Sequence, residues 1–136
     1  MSMFKTLDIS ATGMHAQTVR LNTIASNMAN VDSVSSNADE TYRSKQPIFQ
    51  AMLDNQGIPG TGGVRVKEIV ENTEPLKMEY SPNHPMANEE GYIFRPNVNA
   101  VEEMANMMSA SRTYETNIEV MNTSKQLLMR TIQLGK

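Results

Sequence analysis

Two rows of apolar residues, one at each end of the chain, constrain the fold more than any other feature. In both rows, apolar or small residues recur in steps of four and three, an average of 3.5 residues. That spacing keeps one narrow stripe of a helix facing a partner helix, as in a coiled coil. Because the rows lie at opposite ends of the chain, we expect each to pack against the other.

The rows predict two helical arms, over residues 5–28 and 98–134. The first row consists of Phe4, Leu7, Ala11, Met14, Thr18, Leu21, Ala25 and Met28. The second row consists of Ala100, Met104, Met107, Ser111, Tyr114, Ile118, Met121, Lys125, Leu128 and Ile132. Thr18, Ser111 and Lys125 interrupt the rows, so we expect the helices to need packing on more than one side. Asn97 or Asn99 is suited to cap the second helix, which Gly135 ends.

The middle of the chain predicts short strands and loops. Residues 64–70 and 75–80 alternate apolar with polar side chains, which is typical of half-buried strands, and we expect them to pair with each other. Residues 46–54 and 91–94 are further candidate strands, 31–42 reads as a polar loop, and 57–63 as a glycine-rich connector. The predicted fold is mainly α with a small β region. Residues 1–31 and 97–136 form one helical domain, and residues 32–96 form the β-rich middle.

Composition points away from a compact, self-sufficient domain. Hydrophobic residues make up 39% of the 136 residues and aromatic residues 5%, so the core is expected to be thin. Nine of the twelve Met residues fall within residues 1–31 and 97–136, where a flexible side chain suits irregular helix packing. No cysteine is present, and no apolar run approaches the roughly 18 residues of a membrane span. The N-terminus lacks the apolar core of a secretory signal.

The sequence contains few residues in patterns that would indicate catalysis or ligand binding. His15 and His84 are far apart in sequence and lack metal-site spacing, and the glycine stretch 57–63 lacks the Gly-Lys-Ser/Thr of a phosphate loop. Paired acids, among them Glu102 and Glu103, are expected to lie on a solvated surface. The net charge of −3, without a basic face, argues against nucleic acid. We therefore expect no enzyme activity, no cofactor, no metal, no nucleic-acid partner and no direct membrane insertion.

Three sequence blocks resemble one known family. Residues 20–30 read RLNTIASNMAN, which resembles the N-terminal signature of bacterial flagellar axial proteins of the rod and hook class. Residues 82–99, PNHPMANEEGYIFRPNVN, and residues 101–117, VEEMANMMSASRTYETN, resemble the segment before the second helix and the C-terminal helix of the proximal rod proteins in that family. Three blocks in the same order are far more specific than one.

The resemblance implies a structural subunit of the flagellar basal-body rod, the drive shaft used in motility. It implies passage through the flagellar type III export apparatus, without a cleavable signal peptide, into the periplasmic rod. The implied partners are further copies of this chain and other rod and hook-class axial subunits. The residues expected at the assembly interface are Leu7, Met14, Leu21, Ile24, Asn27, Met28, Asn30, Asn97, Met104, Met107, Tyr114, Asn117, Ile118, Met121 and Leu128.

The sequence leaves one alternative of another class open. A soluble helical adaptor or export chaperone would also carry two amphipathic arms and bind partner helices, but it would not polymerise. The four asparagines among the expected interface residues are predicted to fix the helix register, because a buried amide tolerates only a correct partner.

Overall fold

Two long helices flank four short strands in the order of the chain. The computed structural model describes residues 3–53 and 62–135. Helix α1 spans Met3–Ala29 and helix α2 spans Ala100–Leu134. Between them lie strands β1 (Lys45–Ala51), β2 (Val64–Glu71), β3 (Lys77–Tyr80) and β4 (Tyr92–Arg95). The predicted fold class is confirmed, and both helices lie within two residues of their expected limits.

The helices run antiparallel. Asn27 contacts Glu103, Arg20 contacts Asn106, and a side chain added at Gly13 would meet Asn117 at 3.1 Å. As the contact moves toward the start of α1, it moves toward the end of α2. Asn99 caps α2, since its side-chain oxygen accepts hydrogen bonds from the N–H groups of Val101 and Glu102. The expected cap and the expected end at Gly135 are both present.

We call the residues of α1 and α2 that face each other the seam. Every second residue of the seam differs from the residue that the expected rows place there. Leu7, Met14, Leu21 and Met28 of α1 are partly buried, as are Met107, Tyr114, Met121 and Leu128 of α2. The intervening positions lie one residue earlier than predicted. They are occupied by Ser10, Gln17 and Ile24 on α1 and by Glu103, Ala110, Asn117 and Ser124 on α2.

The residues predicted at those intervening positions mostly face outward. Phe4, Ala11, Thr18, Ala25, Met104 and Lys125 are exposed, as is Ile132 at the end of the second row, and the prediction was wrong for them. Small residues such as Ser10 and Ala110 let the backbones approach closely, and Asn27 and Glu103 bond to each other across the seam. Close approach and polar pairing therefore outweigh the slightly more apolar alternative face.

The strands form two separate antiparallel pairs, β1 with β2 and β3 with β4. The expected pairing of 64–70 with 75–80 is therefore wrong. Asn72, in the link between β2 and β3, donates its N–H to the carbonyl of Ser44, and the Asn97 side chain donates to the carbonyls of Asn72 and Glu74. These bonds hold the link against other segments, so it does not turn as a hairpin.

The β1–β2 pair approaches α1 closely at the start of β2. Gly63 has a φ of +91°, and a Cβ placed there would lie 2.5 Å from the Thr12 hydroxyl oxygen. That oxygen accepts a hydrogen bond from the N–H of Val64 at 3.2 Å. Glycine is required because the left-handed backbone and the contact both exclude a side chain. Residues 57–61 of the predicted connector, and residue 54 of the predicted strand, lie outside the described residues.

The buried apolar core is small. Among the described residues, the hydrophobic side chains that are essentially buried are Ala16, Ile24, Ile93, Val98 and Ala110. Most of the 31–42 segment is loop, as expected, with a 3-10 turn at Ala38–Glu40. Ser35 exchanges two backbone hydrogen bonds with Phe94, which attaches this loop to β4.

Candidate functional site

A cluster of polar side chains joins α1, α2 and β1 at one end of the helix pair. Asn27, in the last turns of α1, is only 1% exposed. Its amide nitrogen donates to Oε1 of Glu103 at 3.0 Å and to the carbonyl of Lys45 at 2.9 Å. Its amide oxygen accepts from the N–H of Lys45 at 2.9 Å and from the hydroxyl of Tyr42 at 2.8 Å. One side chain therefore bonds to the other helix, to a strand and to the preceding loop.

Asn97, three residues before the start of α2, also joins several elements through its side chain. Its side-chain oxygen accepts from the N–H of Ser44 at 2.8 Å, while its nitrogen donates to two carbonyls of the β2–β3 link. The backbone of Ser44–Lys45 is thus held by Asn27 from the end of α1 and by Asn97 from the start of α2. We call Asn27, Asn97 and Glu103, with the Ser44–Lys45 backbone that the two amides hold, the polar clamp.

Glu103 is the charged member of the clamp. It is 6% exposed, and the prediction that it lies on a solvated surface was wrong. Burial raises the pKa of Glu103 above its ordinary value of 4.5, and the neighbouring charge of Glu102 raises it further. The hydrogen bond from Asn27 and the positive charge of Arg20 act in the opposite direction without cancelling the rise. The carboxyl group borders a cavity of about 430 Å³ that Arg20, Lys45 and Asn106 also line.

The expected assembly residues occupy three kinds of position. Ile24 and Asn27 are buried, and Met104 is exposed. The others are partly buried: Leu7, Met14, Leu21, Met28, Asn30, Asn97, Met107, Tyr114, Asn117, Ile118, Met121 and Leu128. Asn117 donates to the carbonyl of Thr113 in its own helix, and Asn30, just after α1, donates to the carbonyl of Ser26 in the last turn of that helix. Most of these residues therefore pack within the chain, and their role between subunits stays a prediction.

A second apolar surface lies on the side of α2 that faces away from α1. Val101, Met104 and Met108 are 76%, 54% and 70% exposed. They border a shallow groove of about 570 Å³ together with Ala105 and Arg112. We call Val101, Met104 and Met108 the outer stripe. The steps of three and four between its members were visible in the sequence, but the stronger seam pattern masked them.

The far end of α2 is also without intramolecular cover. From Met129 to Gly135 every residue is exposed, and Leu127, Ile132 and Leu134 add apolar surface there at 47%, 53% and 88% exposure. Helical segments with this much exposed apolar surface indicate a contact with another molecule.

Metal-binding geometry is not found in the described parts of the chain. Residues 3–53 and 62–135 contain no group of three or more His, Asp or Glu side chains placed to hold a metal ion. His84 accepts a hydrogen bond at Nδ1 from the N–H of Met86, which shapes its turn. Within the same residues, neither helix is both long and apolar enough to cross a membrane.

The chain matches two family models and several curated relatives. The model described as "Flagella basal body rod protein" matches residues 7–35, and "Flagellar basal body rod FlgEFG protein C-terminal" matches residues 89–134. The flagellar basal-body rod protein FlgC of Salmonella typhimurium is 44% identical over 136 residues, covering all of both chains. FlgC of Escherichia coli O157:H7 is 44% identical over 138 residues, again covering all of both chains. FlgC of Aquifex aeolicus is 40% identical, covering all of this chain and 99% of that one.

Proposed function

Given that this chain belongs to the FlgC family of flagellar basal-body rod proteins, which are structural proteins and not enzymes, we propose that it polymerises into the helical proximal rod. It enters the flagellum through the type III export apparatus, crosses in an unfolded form, and adds to the growing rod in the periplasm. Its partners there are further copies of itself and other rod and hook-class axial subunits. The helical arms line the inner wall, and the strands lie outside them.

The observation that best supports assembly is the excess of exposed surface. The chain exposes 9314 Å². A compact monomer of its mass, 15.2 kDa, would expose about 7,100 Å². Exposed apolar residues of α2, among them Met104, Met108 and Leu134, contribute to that surface. A structure of this kind gains stability when neighbours cover those residues.

Export in an unfolded form fits the same features. The small apolar core stabilises the free chain little, so unfolding for transport costs little. The absence of cysteine means that no disulfide can form in transit. Burial of the exposed apolar residues on docking then offsets the conformational entropy that the chain loses.

The outer stripe is the surface most suited to contact a neighbouring subunit. The seam residues already pack against the partner helix of the same chain, whereas Val101, Met104 and Met108 do not. A contact between such a stripe and a different surface of the next subunit is heterologous, and heterologous contacts that do not close build open helical filaments.

Met108→Asp tests this assignment. At 70% exposure the change leaves the fold of the free chain intact but places a charge in the subunit contact. We expect the variant to be secreted normally, to be absent from purified basal bodies and to abolish swimming in a strain that lacks the native protein. Met108→Leu, which keeps the apolar surface, is the matched control and should swim. Recovery of Met108→Asp in basal bodies at the native level would show that the outer stripe is not an assembly surface.

A further inference from the structure

The apolar part of the seam does not by itself define how the two helices align. Its large residues recur every seven positions on each helix: Leu7, Met14, Leu21 and Met28 on α1, and Met107, Tyr114, Met121 and Leu128 on α2. Sliding one helix along the other by seven residues, about 10.5 Å, again places large apolar residues opposite large apolar residues. Apart from Tyr114, the residues of these rows are Leu and Met, which are similar in volume, and Met is also flexible, so the displaced pairing costs little in packing.

Two residues of the polar clamp lack this repeat. Asn27 and Glu103 face each other in the observed register, with a hydrogen bond of 3.0 Å and exposures of 1% and 6%. A displacement by seven residues in one direction places Asn27 opposite Ala110. In the other direction Glu103 lies beside Arg20, and Asn27 lies opposite residue 96, which precedes α2. Either displacement separates Asn27 from Glu103.

Separating Asn27 from Glu103 raises the free energy of the folded chain, because both side chains are buried. An amide or carboxylate that is removed from water needs a partner of the right polarity. Glu103 meets Arg20 in one of the displaced registers, but Asn27 loses its partner on α2 in both of them. Asn27 is held in place from the side as well, since it bonds to both backbone groups of Lys45. It therefore presents a fixed donor to α2, and Glu103 can satisfy it only at one position.

We propose that the Asn27–Glu103 pair selects the register of the two helices and excludes the registers displaced by one heptad. Ionic and polar groups in a helix seam commonly reduce stability while fixing alignment. In this chain the alignment also sets where the outer stripe of α2 lies along the length of α1. Register selection occurs within one chain and does not depend on the assembly surface proposed above.

Cysteine cross-linking can report the register directly, because the chain contains no cysteine. A side chain at position 13 meets residue 117 in the observed register. Gly13→Cys with Asn117→Cys therefore reports the native alignment. Gly13→Cys with Ala110→Cys, and Gly13→Cys with Ser124→Cys, report the two displaced alignments. Each pair is introduced into the full chain, refolded under mild oxidation, and the disulfide is quantified by mass spectrometry.

Two backgrounds change the clamp in different ways. Asn27→Leu with Glu103→Leu removes the pair and should raise a displaced cross-link at least about tenfold over the native background, which corresponds to ~1.4 kcal/mol. Arg20→Asn with Asn27→Leu moves the amide by one heptad and should transfer cross-linking from the 13–117 pair to the 13–110 pair. Asn22→Leu with Glu102→Leu changes the same residue types at exposed positions and should leave the 13–117 cross-link dominant.

The results decide in either direction. An increase of a displaced cross-link in the first background, or transfer to the 13–110 pair in the second, supports register selection by Asn27 and Glu103. Retention of the 13–117 cross-link as the dominant product in both backgrounds, without an increase of either displaced cross-link, would overturn the proposal.

Discussion

Glu103 is a buried carboxylate that forms no ion pair with any residue in the described parts of the chain. Glutamate is seldom buried unless a partner compensates its charge. Glu103 receives one hydrogen bond, from Asn27, and Arg20 contributes only a weaker charge interaction. Burial therefore dominates and raises the pKa of Glu103. The folded chain favours the protonated form of this side chain more than the unfolded chain does.

The raised pKa determines how stability responds to pH. The contribution of Glu103 to folding is fully present below the ordinary value of 4.5 and is lost as the pH rises through the raised pKa of the folded state. We expect Glu103→Gln, which stays neutral and still accepts from Asn27, to melt at a higher temperature than the native chain at pH 7. Its melting temperature should also depend less on pH above 4.5.

Thermal melts of both chains between pH 4 and pH 8, followed by circular dichroism, measure this effect. Glu119→Gln removes the same charge from an exposed position of α2 and serves as the control. A Glu103→Gln chain that melts below the native chain at pH 7, with an unchanged pH slope, would show that burial of the charged carboxylate does not limit the stability of the fold.

At the scale of elements, the start of α2 is set by a short polar sequence. The residue types allowed Asn97 or Asn99 as the cap, because both precede the apolar row. In the structure Asn99 accepts from the first free N–H groups of the helix, while Asn97 bonds to Ser44 and to the β2–β3 link. Two identical residues two positions apart therefore perform different tasks, one within a helix and one between elements.

The division of tasks predicts different costs for the two asparagines. Asn99→Ala should lower the free energy of unfolding by about 1 kcal/mol, the usual cost of a lost helix cap. Asn99→Ser, which keeps a capping oxygen, should restore most of that loss. Asn97→Ala should cost more, because it leaves the N–H of Ser44 without its acceptor in a partly buried position. Urea unfolding of the three variants measures these differences, and equal losses for Asn97→Ala and Asn99→Ala would contradict the assignment.

At the scale of the whole molecule, part of the helix surface has no packing partner among the described residues. Helix α2 has 35 residues and α1 has 27, so the last turns of α2 extend beyond the seam. All residues from Met129 to Gly135 are exposed. The end of α2 is therefore not covered by other parts of the described chain, which agrees with membership in a family of rod proteins.

The overhang of α2 predicts a difference in amide exchange between the free and the assembled chain. In the purified monomer, amides after Leu128 should exchange rapidly, because no neighbouring element covers that part of the helix. Amides around the fully buried Ala110 should exchange slowly and provide the internal reference. In isolated basal bodies both segments should be protected. Protection of the α2 end in a dilute monomer would mean that the overhang is stable without neighbours.

Local sequence patterns were sufficient to predict where the helices and strands lie, but not which strands pair with each other. Periodicity predicted both helices to within two residues at each end, and alternation located β2 and β3, because these signals depend on neighbouring side chains in the sequence. The partner of each strand was wrongly assigned, since bonds from Asn72 and Asn97 to distant segments decided it. The division of the chain at residues 31 and 97 into domains stays a prediction.

The sequence by itself determined the family, the two helices and every second seam residue of each helix. These follow from residue types at fixed short spacings. Only the tertiary structure decided the remaining seam residues, the burial of Glu103 and the five hydrogen bonds that surround Asn27. These features depend on how closely two distant helices approach and on which polar groups are then removed from water. That balance of packing against desolvation belongs to pairs of residues far apart in the chain, so no local spacing encodes it.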